Sequence, residues 1–250
     1  HHHHRQQQKP LPLLRQRHPQ SICVVDDALA PLLRASGFDA VGVADAPLPS
    51  HDVHARLLSM PALFGTTRTT IPAADGYLRA SAVARERWRA RLAHERRLRV
   101  GVNWAGHGVH PLDRYRSIPL DVFAAICRVD GCVFFSLQKI HGDTAAHRAR
   151  LASVGIVDLA DEMGDFDDAA GLIGQLDLVI TADTATAHLA GALGQPVWTL
   201  LPSVPDYRWA PDDTHSAWYT SMRLWRQQRP MQWDDVVAAV RETLAARLRR

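Results

Sequence analysis

Six residues in the second half of the chain, Asp183-Thr184-Ala185-Thr186-Ala187-His188, set an acid, two hydroxyls and an imidazole directly after the apolar run Leu178-Val179-Ile180. A strand that ends in an acid and turns into a helix of small residues can hold an anion. The first amides of a helix have no partner within it, and the dipole favours negative charge there. The small side chains of Thr184, Ala185 and Thr186 let a phosphate approach that backbone closely. His188 falls about one turn into the helix, facing the same mouth. The same spacing also serves a plainer end, with Asp183 capping the helix and His188 packed. Spacing alone leans slightly toward that plainer reading.

Other chemistry-bearing groups carry weaker signals. Ser136-Leu137-Gln138-Lys139 closes another apolar run, where a surface turn accounts for Gln138 and Lys139 about as well as ligand contact does. Asp165 precedes a helical stretch, and capping is its simplest role. His141, Asp143 and His147 lie near one another in sequence, but on a glycine loop and an arginine-bearing helix, so no metal is expected. A P-loop is excluded because no Gly-Lys-Ser/Thr follows a glycine-rich turn, and the G-x-G-x-x-G spacing is absent. Cys23, Cys127 and Cys132 are odd in number, unlike a zinc site in spacing, and each sits in an apolar stretch. They read as reduced, buried thiols.

These groups are positioned by two strand–helix series with a charged helix between them. The first series holds the strand Ser21-Ile22-Cys23-Val24-Val25, a helix over 28–35 and the short strand Ala40-Val41-Gly42-Val43, followed by a proline-rich loop and a helical turn over 54–60. The linking helix spans 81–97 and is rich in good helix formers. The second series runs through strands at 98–104, 132–137, 156–159, 178–180 and 197–201. Helices are expected from 120 through Cys127, at 147–153, at 167–175 and at 184–193. Strands alternating with helices at this spacing imply parallel βαβ units and a doubly wound α/β sheet. A last helix begins near Trp233 and buries Trp233, Val236, Val237, Val240 and Leu244 on one face. The domain boundaries that follow are 1–10 for a lead with an affinity-tag remnant at His1 to His4, 11–80 for the first lobe, 81–97 for the linking helix, 98–229 for the second lobe, and 230–250 for the terminal helix.

The 250 residues suffice for two small lobes, with 46% hydrophobic and 22% charged residues, the balance of a globular protein. No apolar run reaches the ~18–20 residues a membrane span needs, and no basic-then-apolar leader is present; a cytoplasmic protein is expected. The net charge of +3 is modest. Its densest part, 85–99, alternates arginines with Trp88, Leu92 and Leu98 as a solvated helix face would, so nucleic acid is not expected as a partner.

The 178–194 segment, with Gly194-Gln195-Pro196-Val197 after it, resembles the Asp-Thr-x-x-x-His-x-x-x-Ala-x-Gly-x-Pro signature of the heptosyltransferases, glycosyltransferase family 9. It is more similar still to glycosyltransferase-like domains that follow tetratricopeptide repeats in bacterial proteins. The likeness continues through Asp206-Tyr207-Arg208-Trp209 and the stretch from Ser216 to Gln227; the aromatic-rich residues from Trp209 to Trp225 favour the repeat-associated group over a lipopolysaccharide heptosyltransferase proper. The resemblance implies a GT-B fold of two Rossmann-like lobes with parallel sheets. It implies a nucleotide sugar as substrate, a protein or glycan hydroxyl as acceptor, no cofactor, and tetratricopeptide repeats upstream as a possible partner. By the resemblance, Asp183, Thr184 and His188 hold the diphosphate and ribose, with Ala185 in place of the usual glycine. Asn103, Trp104, Arg114, Arg116 and Ser117 match the strand-loop and basic residue that lie over the cleft, with Arg116 against the phosphates. Gln138 and Lys139 are placed to reach the nucleobase or ribose. Transfer expels a nucleoside diphosphate, and without a metal an arginine and a helix N-terminus stabilise the growing charge.

The resembling proteins begin their first lobe with a strand and a glycine-rich loop, and nothing like it precedes the helix at 11–17. The N-terminal lobe is therefore expected to lack its first βα unit and with it the catalytic base. Asp26, Asp27, Asp45, His51, Asp52 and His54 remain as acid–base candidates, with His51 and His54 in a loop able to face the cleft. The rival expectation is a catalytically silent GT-B-like module that keeps the fold and its nucleotide affinity.

Overall fold

The computed structural model describes residues 23–26, 40–43, 78–106, 113–138, 144–203 and 219–250. In the first part of the chain, β1 (Cys23–Asp26) and β2 (Ala40–Val43) pair in parallel, with Cys23 opposite Ala40 and Asp26 opposite Val43. A parallel pair needs a crossover between its strands, as the strand–helix reading of this region requires. The helices expected at 28–35 and 54–60 lie outside the described residues.

From residue 78 onward a single six-stranded sheet organises the chain. Its strands are β3 (Leu98–Asn103), β4 (Cys132–Ser136), β5 (Ile156–Asp158), β6 (Leu178–Ala182), β7 (Val197–Leu201) and β8 (Met222–Arg226). They are all parallel, in the order β5-β4-β3-β6-β7-β8. The chain winds outward from β3 to β5, returns to the other side of β3, and winds outward again to β8. That reversal makes a switch point between β3 and β6, where open α/β sheets leave a crevice at their carboxyl ends. Asn103 and Thr181 are register partners at that point.

Helices cover both faces, which is why β4, β6 and β7 are buried at every position. On one face Val179, Val197 and Leu201 pack with residues of α1 (Ala82–Arg91), α5 (Phe166–Ile173) and α6 (Ala185–Ala192). On the other, Val100, Val102, Ile180 and Leu200 join Leu120 and Phe123 of α3 (Leu120–Phe123) and Val236, Val237, Val240 and Leu244 of α7 (Asp234–Leu248). The remaining α-helices among the described residues are α2 (Asp113–Arg116) and α4 (Thr144–Ser153). Trp233 and the four α7 residues expected on one apolar face are all buried.

The helix read as a link is shorter than its sequence suggests and is docked on the second lobe. Ser81 caps α1 by accepting from the Ala84 amide, while its own N–H and hydroxyl donate to the Asp167 carboxylate at 2.7 and 2.5 Å. Gly171 of α5 lies so close to α1 that a Cβ there would stand 2.8 Å from the Ala84 carbonyl oxygen. The helix expected to run from 120 through Cys127 is broken into α3 and a 3-10 turn at Ile126–Arg128. The sixth strand, β8, falls in the aromatic stretch that the sequence reading left without an element.

Cys127 and Cys132 are buried free thiols. Burial pushes Cys127 up to about 12 and Cys132 up to about 11, so neither is a thiolate at neutral pH. No helix among the described residues is long and apolar enough to cross a membrane.

Candidate functional site

The turn from β6 into α6 lies at the carboxyl end of the sheet beside the switch point. Thr184 is the N-cap of α6, yet its side chain makes no capping bond. Its hydroxyl instead shares a hydrogen bond with the Thr181 hydroxyl at 3.1 Å. The N-cap hydroxyl is thus not spent on the first turn of α6, and the amides of a helix start are groups that an external anion can take. At the other end, Gly194 adopts φ 73° and the Gln195 amide returns to the Ala190 carbonyl at 3.0 Å, stopping the helix.

Asp183 faces two cationic or potentially cationic groups. The His188 Nε2 stands 3.3 Å from one carboxylate oxygen, and the Arg116 Nε stands 3.8 Å from the other. All three are buried: Arg116 is 4% exposed, Asp183 3% and His188 0%. A buried carboxylate is retained only with partners of this kind. His188 also packs its ring against Tyr219 at 5.9 Å, tilted 54°. Tyr219 in turn lies on Gly191, where a Cβ would come within 2.5 Å of the phenol ring. Gly191 and Tyr219 together set the floor on which His188 rests.

Arg116 reaches this cluster from the far side of a loop. The Ile118 amide donates to the Trp104 carbonyl at 2.7 Å, and the Gly106 amide donates to the Ser117 hydroxyl at 3.2 Å. These bonds clip the segment after α2 to the end of β3. From the other side, the Gln138 side-chain oxygen accepts from both the Trp104 and Ala105 amides, at 3.1 and 3.0 Å. Gln138 and Ser117, expected as ligand contacts, are braces of the 104–106 loop.

Asn103 joins the two halves of the sheet, its Nδ2 donating to the Thr186 hydroxyl in the first turn of α6 at 2.8 Å. The Asn103 Oδ1 is buried and has no hydrogen-bond partner among the described residues. Trp104 is in the core, with Phe123 at 6.0 Å and the His147 ring stacked at 6.1 Å and 15°. Burial lowers the His147 pKa against the opposing pull of Asp158, favouring the neutral ring. Asp165 caps α5, accepting from the Asp168 amide at 2.8 Å, as expected.

The structure therefore brings together Asn103, Arg116, Asp183, Thr184, Ala185 and His188, with Gln138 and Ser117 supporting them. Arg114 contributes backbone to α2, and its side chain lies outside the described residues. Lys139, His51, His54, His141 and Asp143 also lie outside them, as do the side chains of Asp26, Asp27, Asp45 and Asp52. Among the described residues, no group of three His, Cys, Asp or Glu side chains is arranged to hold a metal. Thr186, read from the sequence only as a small residue at the helix start, also holds Asn103 through its hydroxyl. Tyr219 was not read as a site residue; it lies 31 residues beyond His188 and carries no local signal.

Comparison with known proteins bears on the fold. Residues 121–231 match the family described as Glycosyltransferase family 9 (heptosyltransferase). Protein FlbA of Caulobacter vibrioides is 25% identical over 187 residues, covering 71% of this chain and 30% of that protein. The chain thus spans about a third of the length of this curated relative. Among solved structures, the Escherichia coli ADP-heptose lipopolysaccharide heptosyltransferase II superposes with a TM-score of 0.61 at 14% identity, over 99% of this chain and 96% of that one. A family 9 glycosyltransferase from Veillonella parvula gives 0.59 at 14% identity, over 99% and 95%. The fold is α/β with a six-stranded parallel sheet, similar to that of the GT-B heptosyltransferases.

Proposed function

We propose that this chain binds a nucleotide-activated sugar at the β6–α6 turn and serves a glycosyltransferase reaction in which an acceptor hydroxyl attacks the anomeric carbon. The observation that carries the proposal is the buried Arg116–Asp183–His188 cluster beside a helix start at the switch point. The family match over residues 121–231 supports the same reading.

In this proposal the diphosphate lies on the first turn of α6, drawing on its amides and on Arg116. The reaction breaks the bond between the anomeric carbon and the phosphate oxygen, leaving charge on the nucleoside diphosphate. Arginine and helix amides stabilise that charge without a metal ion. Asp183 is itself an anion and a poor direct neighbour for phosphate. Its part is to orient Arg116 and His188, or to accept from a ribose or sugar hydroxyl. The acceptor is a hydroxyl of a protein or a glycan.

Titration calorimetry with UDP-, GDP-, ADP- and CMP-linked sugars tests this reading. At least one should bind, and Asp183→Ala should weaken it at least tenfold, the loss of about one charge-assisted contact. Absence of any binding sensitive to Asp183 would sink the proposal.

A further inference from the structure

Beyond the phosphate turn, the carboxyl edge of the sheet holds a second polar group, at the ends of β7 and β8. Gln227 follows β8 and is 3% exposed. Its backbone amide donates to the Leu201 carbonyl at 2.8 Å, and its side-chain oxygen accepts from the Ser203 amide at 3.1 Å. Those bonds fix the orientation of the carboxamide, since a flip would set its NH2 against the Ser203 N–H, donor against donor. The Nε2 is therefore the opposite end of the carboxamide, and it is buried with no hydrogen-bond partner among the described residues. The Ser203 hydroxyl beside it is also buried and without one.

An amide N–H and a hydroxyl left unpaired on two residues joined by a hydrogen bond are costly, because each has given up water and received nothing. Such orphans call for an explanation, and a ligand that satisfies them is one. Their place narrows the ligand. They sit at the carboxyl ends of parallel strands, the side on which open α/β sheets bind small molecules. β8 stands two strand spacings from β6, about 10 Å. That is the reach of a glycosyl group from a phosphate held at the start of α6. The two groups are neutral, a donor and a hydroxyl that can donate or accept, which matches a sugar hydroxyl.

We infer that Gln227 and Ser203 form a subsite for the glycosyl group of the bound nucleotide sugar, recognising one of its hydroxyls. This inference rests on the proposed donor site at the β6–α6 turn. It assigns the β7–β8 side of the crevice to the transferred sugar and makes Gln227 a determinant of which sugar is accepted.

Calorimetric titration of the wild type with UDP-, ADP- and GDP-linked hexoses and heptoses, and in parallel with the bare nucleoside diphosphates, tests it. Gln227→Met should weaken the preferred nucleotide sugar about tenfold, the loss of one hydrogen bond, and leave the nucleoside diphosphate within twofold. Ser203→Ala removes a hydroxyl that bonds nothing among the described residues. It should weaken the sugar-linked ligand several-fold at an unchanged Tm, so the test stands even if Gln227→Met fails to fold. Equal losses for both ligand classes, or no loss from Ser203→Ala and Gln227→Met, overturn the subsite. A wild type that binds nucleoside diphosphates but gains nothing from the attached sugar also overturns it, with the phosphate site intact. A wild type that binds neither class removes the donor site and the subsite together.

Discussion

Two sets of ion pairs divide this molecule. Along α1 and its surroundings Arg89 pairs with Glu86, Arg91 with Glu162 and Arg97 with Glu95, at 2.7 to 3.0 Å and with substantial exposure. At the switch point Arg116 and His188 meet Asp183 at longer distances, 3.8 and 3.3 Å, fully enclosed. The shorter contacts are the less consequential ones. Exposed pairs gain little because water solvates the separated charges nearly as well, whereas a buried carboxylate has no such alternative.

The sharpest way to break this contrast is Arg116→Ala. It should lower stability by about 3–5 kcal/mol by leaving Asp183 with a weakened environment, and abolish measurable nucleoside diphosphate binding. Chemical denaturation and calorimetry read the two effects. The double variant Arg116→Met/Asp183→Leu should recover most of that stability while binding stays lost. If binding returns as well, the cluster is structural only.

Gly191→Ala should cost about 1–3 kcal/mol, as overpacking against Tyr219 does. Because Tyr219 also touches His188, donor affinity should fall with it; a Tm drop with unchanged affinity would separate the His188 floor from the site. Gln138→Ala leaves two loop amides without their acceptor and should cost about 1–2 kcal/mol, with weakened donor binding as the 104–106 loop loosens. The smallest effect belongs to the surface set. Glu162→Gln should change stability by less than about 1 kcal/mol, and the difference should shrink in high salt.

Much of the second lobe was legible before any coordinates. The runs at β4, β6 and β7 carry no charge because helices bury both faces of a parallel sheet, so their strands stand out from the chain around them. β8 did not, because Met222–Arg226 interleaves arginines with its apolar residues and lies at the sheet edge, where one side needs no partner. Gln138 shows the same limit for the site. A glutamine at a strand end looks like a ligand contact, yet its oxygen is spent on two amides of a neighbouring loop. Side-chain direction of this kind depends on which strand lies alongside, and spacing carries no trace of it.

By itself, then, the sequence determined the alternation of strands and helices and the uncrowded turn at Thr184, because hydrophobic period and side-chain size are local properties. It left open whether Asp183 caps a helix or anchors a cluster. Only the tertiary structure brings Asp183 into a cluster: the return of the chain past β3 sets β6 beside it, and the clip between the ends of β3 and α2 carries Arg116 to a carboxylate 67 residues away in sequence. Long-range pairings of charge follow from strand order, and strand order is a property of the whole sheet.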